Sequence, residues 1–158
     1  MTHEEFADRI VAMQGTLYRV AASILPQLCD CEDAVQSCIE KAWRKQGSLR
    51  DAERLRPWVT RILINECYDI LRKRRRETPT ESVPEQAAPP GSDPNLYRFF
   101  TGLPDKLRMP MVLYYLEGYD VREVAHMLRL PEGTIKSRLA RGREKMKQDE
   151  AFKEVQGL

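Results

Sequence analysis

The residues best suited to reading another molecule lie near the carboxy-terminal end, in residues 133–147. Wound at about 100° per residue, Ile135, Leu139, Gly142 and Met146 fall within about 60° of one another. Lys136, Ser137, Ala140 and Arg141 cluster on the opposite side. One face packs, while the other presents a hydroxyl, a small residue that permits close approach, and two cations. That is the equipment of a major-groove reader, because base edges offer acceptors to which Arg and Lys donate. Thr134, Arg138 and Arg143 flank the face and suit phosphate contacts.

A second concentration of charge is RKRRR at residues 72–76, of which Arg72, Lys73, Arg74 and Arg75 are assigned to phosphate. The net charge is only +2, but it is unevenly spread. Residues 1–40 hold seven acids against Arg9 and Arg19, whereas residues 132–147 carry six bases against Glu132 and Glu144. Localised basic segments of this kind let a near-neutral chain grip nucleic acid.

Other chemistry finds little support. His3 and His126 are far apart in sequence, and no nucleophile–base pairing or phosphate-cradling glycine loop is present. No catalytic residues and no cofactor are therefore expected. Cys29-x-Cys31 lacks the spacing of a zinc pair and has no histidine nearby. Cys29, Cys31, Cys38 and Cys67 are read as small core residues, and no metal site is assigned.

These residues must be positioned by helices. Hydrophobic residues make up 42 % and charged residues 32 % of the 158, and no stretch alternates at the strand period. The fold class expected is all-α, in two small helical domains joined by a flexible linker. The linker is residues 77–95, with five prolines, four acids and no base; the flanking domains are residues 1–76 and 96–158. In the first, Phe6, Ile10, Met13, Leu17, Val20 and Ile24 form one helical stripe that ends at Pro26. Asp30 or Asp33 caps a second helix, whose apolar face is Val35, Cys38, Ile39, Ala42 and Trp43. A third starts near Pro57, buries Val59, Ile62, Leu63, Ile70 and Leu71, and runs into the basic segment. In the second domain Pro110 should kink a helix over residues 103–117, and Gly118 should stop it. Asp120-x-x-Glu123 has capping-box spacing, Val121, Val124, Ala125 and Leu128 face inward, and Thr134 caps the last helix. Two short helices joined by a tight turn, the second rich in arginine, describe a helix-turn-helix.

The stretch LPDKLRMPMVLYYLEGYDVREVAHMLRLPEGTIKSRLARGREKMK resembles the promoter-binding domain of bacterial sigma factors. DCEDAVQSCIEKAWRK resembles their polymerase-binding helix, and RPWVTRILINECYDILRKRRR the helix that engages the downstream promoter element. The order is that of the compact extracytoplasmic-function (ECF) group of the sigma-70 family, with its region 2-like and region 4-like domains. The resemblance implies an initiation subunit without catalytic activity that binds core RNA polymerase, directs it to promoters and promotes opening. It places Asp33 and Gln36 on the clamp helices of the largest polymerase subunit, with the rear domain at the flap region. Asn65 and Leu49 are placed at a flipped base of the −10 element, walled by residues 48–56. Lys136, Ser137, Ala140 and Arg141 are placed on the −35 element, in agreement with the face derived above. Leu49 and Leu55 stand where relatives often carry aromatics.

The partners expected are core polymerase and promoter DNA, with an anti-sigma factor as a further candidate. The compartment expected is the cytoplasm, without membrane insertion, since no apolar run approaches the roughly 20 residues that span a bilayer. Without the resemblance, a DNA-binding repressor accounts for the second module but leaves the first idle. A thiol- or zinc-responsive protein built on the cysteines is a third class.

Overall fold

The structure, a computed structural model, describes residues 1–77 and 94–149. The linker expected over residues 77–95 lies almost wholly outside the described residues. The chain separates into two compact units, Met1–Gln86 and Ala87–Leu158. Among the described residues every regular element is helical and no strand occurs, as expected for an all-α chain.

The first unit contains α1 (His3–Ala12), α2 (Gln14–Ile24), α3 (Leu28–Arg44) and α4 (Leu55–Glu77). The stripe read as one helix is thus two, broken at Met13 (φ −91°, ψ −3°), whose N–H bonds to the Ile10 carbonyl three residues back. The break leaves the two segments in phase, so Phe6, Ile10, Met13, Leu17, Val20 and Ile24 are all buried. Burial of each large side chain contributes roughly 1.5–3 kcal/mol relative to exposure. Thr2 closes a capping box on α1: its hydroxyl accepts from Glu5 N–H at 3.1 Å, and Glu5 Oε2 accepts from Thr2 N–H at 2.9 Å. The sequence Thr2-His3-Glu4-Glu5 carries that signal, which the hydrophobic pattern alone does not use.

Neither Asp30 nor Asp33 caps α3. The helix starts earlier, at Leu28, with Gln27 as an N-cap that makes no side-chain bond. Asp30 lies inside the first turn and is buried. Val35, Cys38 and Ala42 face the core, joined by Ala34, but Ile39 is half-buried and Trp43 exposed. On α4 the core residues are Leu55, Val59, Leu63, Ile64 and Cys67; Ile62, Ile70 and Leu71 are only half-buried. An ion pair between Lys41 and Glu66 also joins α3 to α4.

The second unit contains α5 (Pro94–Thr101), α6 (Asp105–Met111), α7 (Val121–Leu128) and α8 (Glu132–Gln148). α5 opens on a proline, two residues inside the span assigned to the linker. Pro110 lies within α6, and a π-turn, Val112–Leu116, follows directly. Proline cannot donate to the carbonyl four residues back, and its ring crowds that carbonyl, so the backbone rewinds beyond it. Glu117 N–H then bonds to the Val112 carbonyl at 3.1 Å. Val112 and Leu113 point inward, while Tyr114, Tyr115 and Leu116 are exposed. Gly118 (φ 77°) ends the segment in the left-handed region, as its type predicts.

Candidate nucleic-acid and partner-binding surfaces

The capping box expected at Asp120 is formed in full. Glu123 N–H donates to Asp120 Oδ1 at 2.8 Å and Asp120 N–H to Glu123 Oε1 at 3.0 Å. α7 buries Val124, Ala125 and Met127, with Val121 and Leu128 half-buried. It ends at Arg129, the only described non-glycine residue at positive φ (56°). The turn then delivers the chain to Pro131, which is the N-cap of α8. Thr134 lies within the first turn and makes no capping bond, unlike the expectation for it. Proline fits this boundary because its fixed φ (−62° here) suits helix entry and its missing N–H is not needed there.

On α8, Ile135, Leu139 and Gly142 are buried and Met146 half-buried. Lys136, Ser137, Ala140 and Arg141 are exposed. Gly142 lets α8 approach α6 closely: a Cβ there would lie 2.4 Å from Met111 Sδ and 2.6 Å from its Cγ, so Met111 would have to shift. The close approach of α8 to α6 fixes which way the exposed face looks. Thr134 and Arg138 are half-buried, and Arg143 is exposed but donates to the Tyr115 hydroxyl at 3.3 Å.

In the first unit, Asp33 and Gln36 are exposed on α3. They line a cleft of about 570 Å³ together with Glu40, Glu66, Lys73 and Arg74. Of the basic run, Arg72 pairs with Asp69. Arg74 binds both oxygens of Asp30, at 3.0 and 2.8 Å, and this contact holds its guanidinium pKa above the usual arginine range. Lys73, Arg75 and Arg76 are exposed. Arg74 is thus committed within the protein, a pairing invisible to local pattern because 44 residues separate the partners.

Asn65 is exposed in the middle of α4, and among the described residues its side-chain amide has no hydrogen-bond partner. At about 100° per residue, Asn65, Arg72 and Arg76 lie within about 20° of one line along the helix, opposite its buried side; Trp58 shares that line but is half-buried, with its ring edge-to-face on Phe6. Arg76 is therefore a candidate beyond the four basic residues assigned to phosphate; its eleven-residue spacing from Asn65 is the signal that finds it. Leu49 is half-buried between two 3₁₀ turns, Gln46–Ser48 and Ala52–Arg54. This loop is held by Arg9, which donates to the Ala52 carbonyl at 2.8 Å, and by Asp51, which accepts from Glu53 N–H at 3.0 Å. Leu55 is fully buried and belongs to the core, so it cannot wall a pocket.

The cysteines divide. Cys31, Cys38 and Cys67 are buried and Cys29 is exposed. Burial pushes the Cys38 thiol up to about 12, reinforced by Glu66 and opposed by Lys41, and pushes Cys67 up as well. Cys38 donates to the Val59 carbonyl at 3.5 Å. No cluster of His, Cys, Asp and Glu able to hold a metal occurs among the described residues, and no described helix is long and apolar enough to cross a membrane.

Comparison with known proteins agrees with this geometry. Residues 10–77 match the family described as Sigma-70 region 2, and residues 95–146 match Sigma-70, region 4. The chain is 32% identical over 135 residues to the ECF RNA polymerase sigma factor SigM of Mycobacterium tuberculosis, covering 82% of this chain and 69% of that protein. It is 26% identical over 164 residues to the ECF RNA polymerase sigma factor SigW of Bacillus subtilis, covering 91% and 88%. Among solved structures it resembles the sigma factor RpoE of Bartonella quintana, crystallised with the anti-sigma factor NepR. That match has a TM-score of 0.79 at 28% identity and covers 98% of each chain.

Proposed function

The chain belongs to the ECF sigma factors of the sigma-70 family, and from that premise we propose that it binds core RNA polymerase, directs it to specific promoters and promotes DNA opening. The observation that carries this reading is the pairing, in one chain, of two exposed faces of different character. α3 offers acids and glutamine, whereas the outer side of α8 offers Lys136, Ser137, Ala140 and Arg141. The first suits a basic protein surface and the second the major groove.

In this reading Asp33 and Gln36 dock on the clamp helices of the polymerase. Lys136, Ser137, Ala140 and Arg141 read the −35 element, with Arg138 and Thr134 near the phosphates and Arg143 steadied by Tyr115. The exposed Tyr114, Tyr115 and Leu116 are the rear unit's candidate contact for the flap region. Asn65 receives a base turned out of the −10 stack, and its free amide suits that role because an unpaired base edge presents both donors and acceptors. Extruding one base costs a few kcal/mol. Phosphate contacts from Lys73, Arg75 and Arg76, the last about 16 Å along the axis from Asn65, offset part of that cost. Leu49 closes the pocket by apolar contact instead of ring stacking.

The protein then acts by binding, not by bond chemistry, and works in the cytoplasm where polymerase is. Two units in one chain make the second DNA contact intramolecular once the first has formed. An anti-sigma factor is proposed as a further partner, by analogy with the RpoE complex. Run-off transcription with purified core enzyme tests the function. Promoter-dependent transcripts should require both the chain and core polymerase; a chain that shows no affinity for core polymerase would refute the reading however well it binds DNA.

A further inference from the structure

Arg74 lies within the basic run of α4, yet its guanidinium turns back onto its own unit. Nε and Nη2 each donate to a separate oxygen of Asp30. Asp30 is only 4% exposed and sits in the first turn of α3. A two-pronged bond of this kind fixes orientation as well as distance. Every residue from Arg72 to Glu77 is exposed, so the last turns of α4 have no core packing of their own and the Asp30 contact ties them to α3.

Helix geometry gives the consequence. Arg72 and Arg76 lie about 160° from Arg74, one in each sense, and within about 20° of Asn65. Winding alone puts Arg72, which pairs with Asp69, and Arg76 on the line of Asn65, and the Arg74 contact holds the end of the helix that carries them against α3.

We infer that Asp30 is a positioning residue for promoter DNA: it meets no nucleotide itself, but through Arg74 it aims the basic end of α4 at the phosphates beside the opened strand. This rests on the reading of the chain as a sigma factor. It carries an unusual sign. Simple electrostatics says that removing an acid should raise affinity for a polyanion, whereas a positioning role says that it lowers affinity.

The test uses the full chain reconstituted with core polymerase. Two affinities are measured by fluorescence anisotropy: chain for core, and holoenzyme for labelled fork-junction promoter DNA. Asp30→Asn and Arg74→Gln should each weaken fork binding about 5-fold, the loss expected for one or two misplaced phosphate contacts. The double variant should be no weaker than either single one, because both break the same link. Arg74→Lys, which keeps the charge but not the paired geometry, should behave like Arg74→Gln and guards against misfolding caused by an unpaired Asp30. Core affinity should not change. Fork binding by Asp30→Asn at or above the wild-type level would overturn the inference and make Arg74 a direct phosphate ligand. Parallel loss of core affinity would overturn it in favour of a purely structural pair. Failure of the unaltered holoenzyme to bind promoter DNA is a different result, and would remove the sigma reading itself.

Discussion

Gly142→Ala isolates the contact that aims the recognition face. The added methyl would lie 2.4, 2.6 and 3.0 Å from Met111 Sδ, Cγ and Cε. Met111 is fully buried, so its thioether must make room among packed neighbours. Forcing a methyl into a filled core costs about 1–3 kcal/mol. In an open helix the same change would stabilise by about 1 kcal/mol, since alanine loses less backbone entropy than glycine. Three short contacts place the cost in the upper half of its range, leaving a net destabilisation of about 1–2 kcal/mol. For a small unit this lowers the midpoint by roughly 4–16 °C. The assay has a built-in control, because both tryptophans, Trp43 and Trp58, lie in the first unit. Tryptophan fluorescence should melt as in the wild type, while far-ultraviolet circular dichroism, which senses both units, should show an earlier phase. Met111→Ala in the same chain should make the two changes less than additive, because the methyl enters the space vacated. A Gly142→Ala variant as stable as wild type or more so would refute the account of α6–α8 packing.

Arg141→Ala should weaken recognition of the upstream element by about 1–3 kcal/mol while core affinity is unchanged; competition between matched and mutated −35 sequences measures this. Asn65→Ala should impair opening more than closed-complex formation, and permanganate reactivity compared with duplex binding would expose the reverse. In the folded protein a thiol reagent at mildly alkaline pH should modify Cys29 while sparing Cys31, Cys38 and Cys67, with all four reacting once the chain is unfolded. The Cys38 thiol is raised from 9.0 to about 12. It therefore leaves stability unaffected below pH 9 and lowers it as pH climbs from 9 toward 12, where the unfolded thiol ionises and the folded one does not. The slope should reach about 1.4 kcal/mol per pH unit for this thiol, and alkaline urea titrations of wild type and Cys38→Ala would reveal whether the difference grows with pH.

Local periodicity made much of this architecture legible. The stripe from Phe6 to Ile24, the Asp120–Glu123 box, the stop at Gly118 and the two faces of α8 each depend on residues within one or two turns. Signals at that range survive into the structure because neighbours on a helix stay neighbours. What escaped is partly non-local and partly a matter of where helices begin and break. Asp30 looked like a cap because capping is the common local use of aspartate, but a guanidinium 44 residues away engages it. Thr134 likewise yields its capping place to Pro131 because the turn from Arg129 enters the helix earlier. Leu55 reads as loop in sequence and is core in space, since α4 begins two residues before Pro57. The break at Met13 carries no proline or glycine of its own and leaves the apolar pattern in register, so hydrophobic spacing could not reveal it.

The π-turn after Pro110 has a consequence for changes in chain length. Such a turn is a helix holding one residue more than its span requires. The surplus is taken up at Tyr114, Tyr115 and Leu116, which face outward, while Val112 and Leu113 keep the interior filled. A single-codon deletion there can be absorbed by reversion to ordinary helical winding, with Gly118 still in place to end it. The same deletion in α7 has no slack to draw on, because losing one residue would rotate its later side chains by about 100°. The second unit thus tolerates shortening at one point of its backbone and resists it a few residues further on.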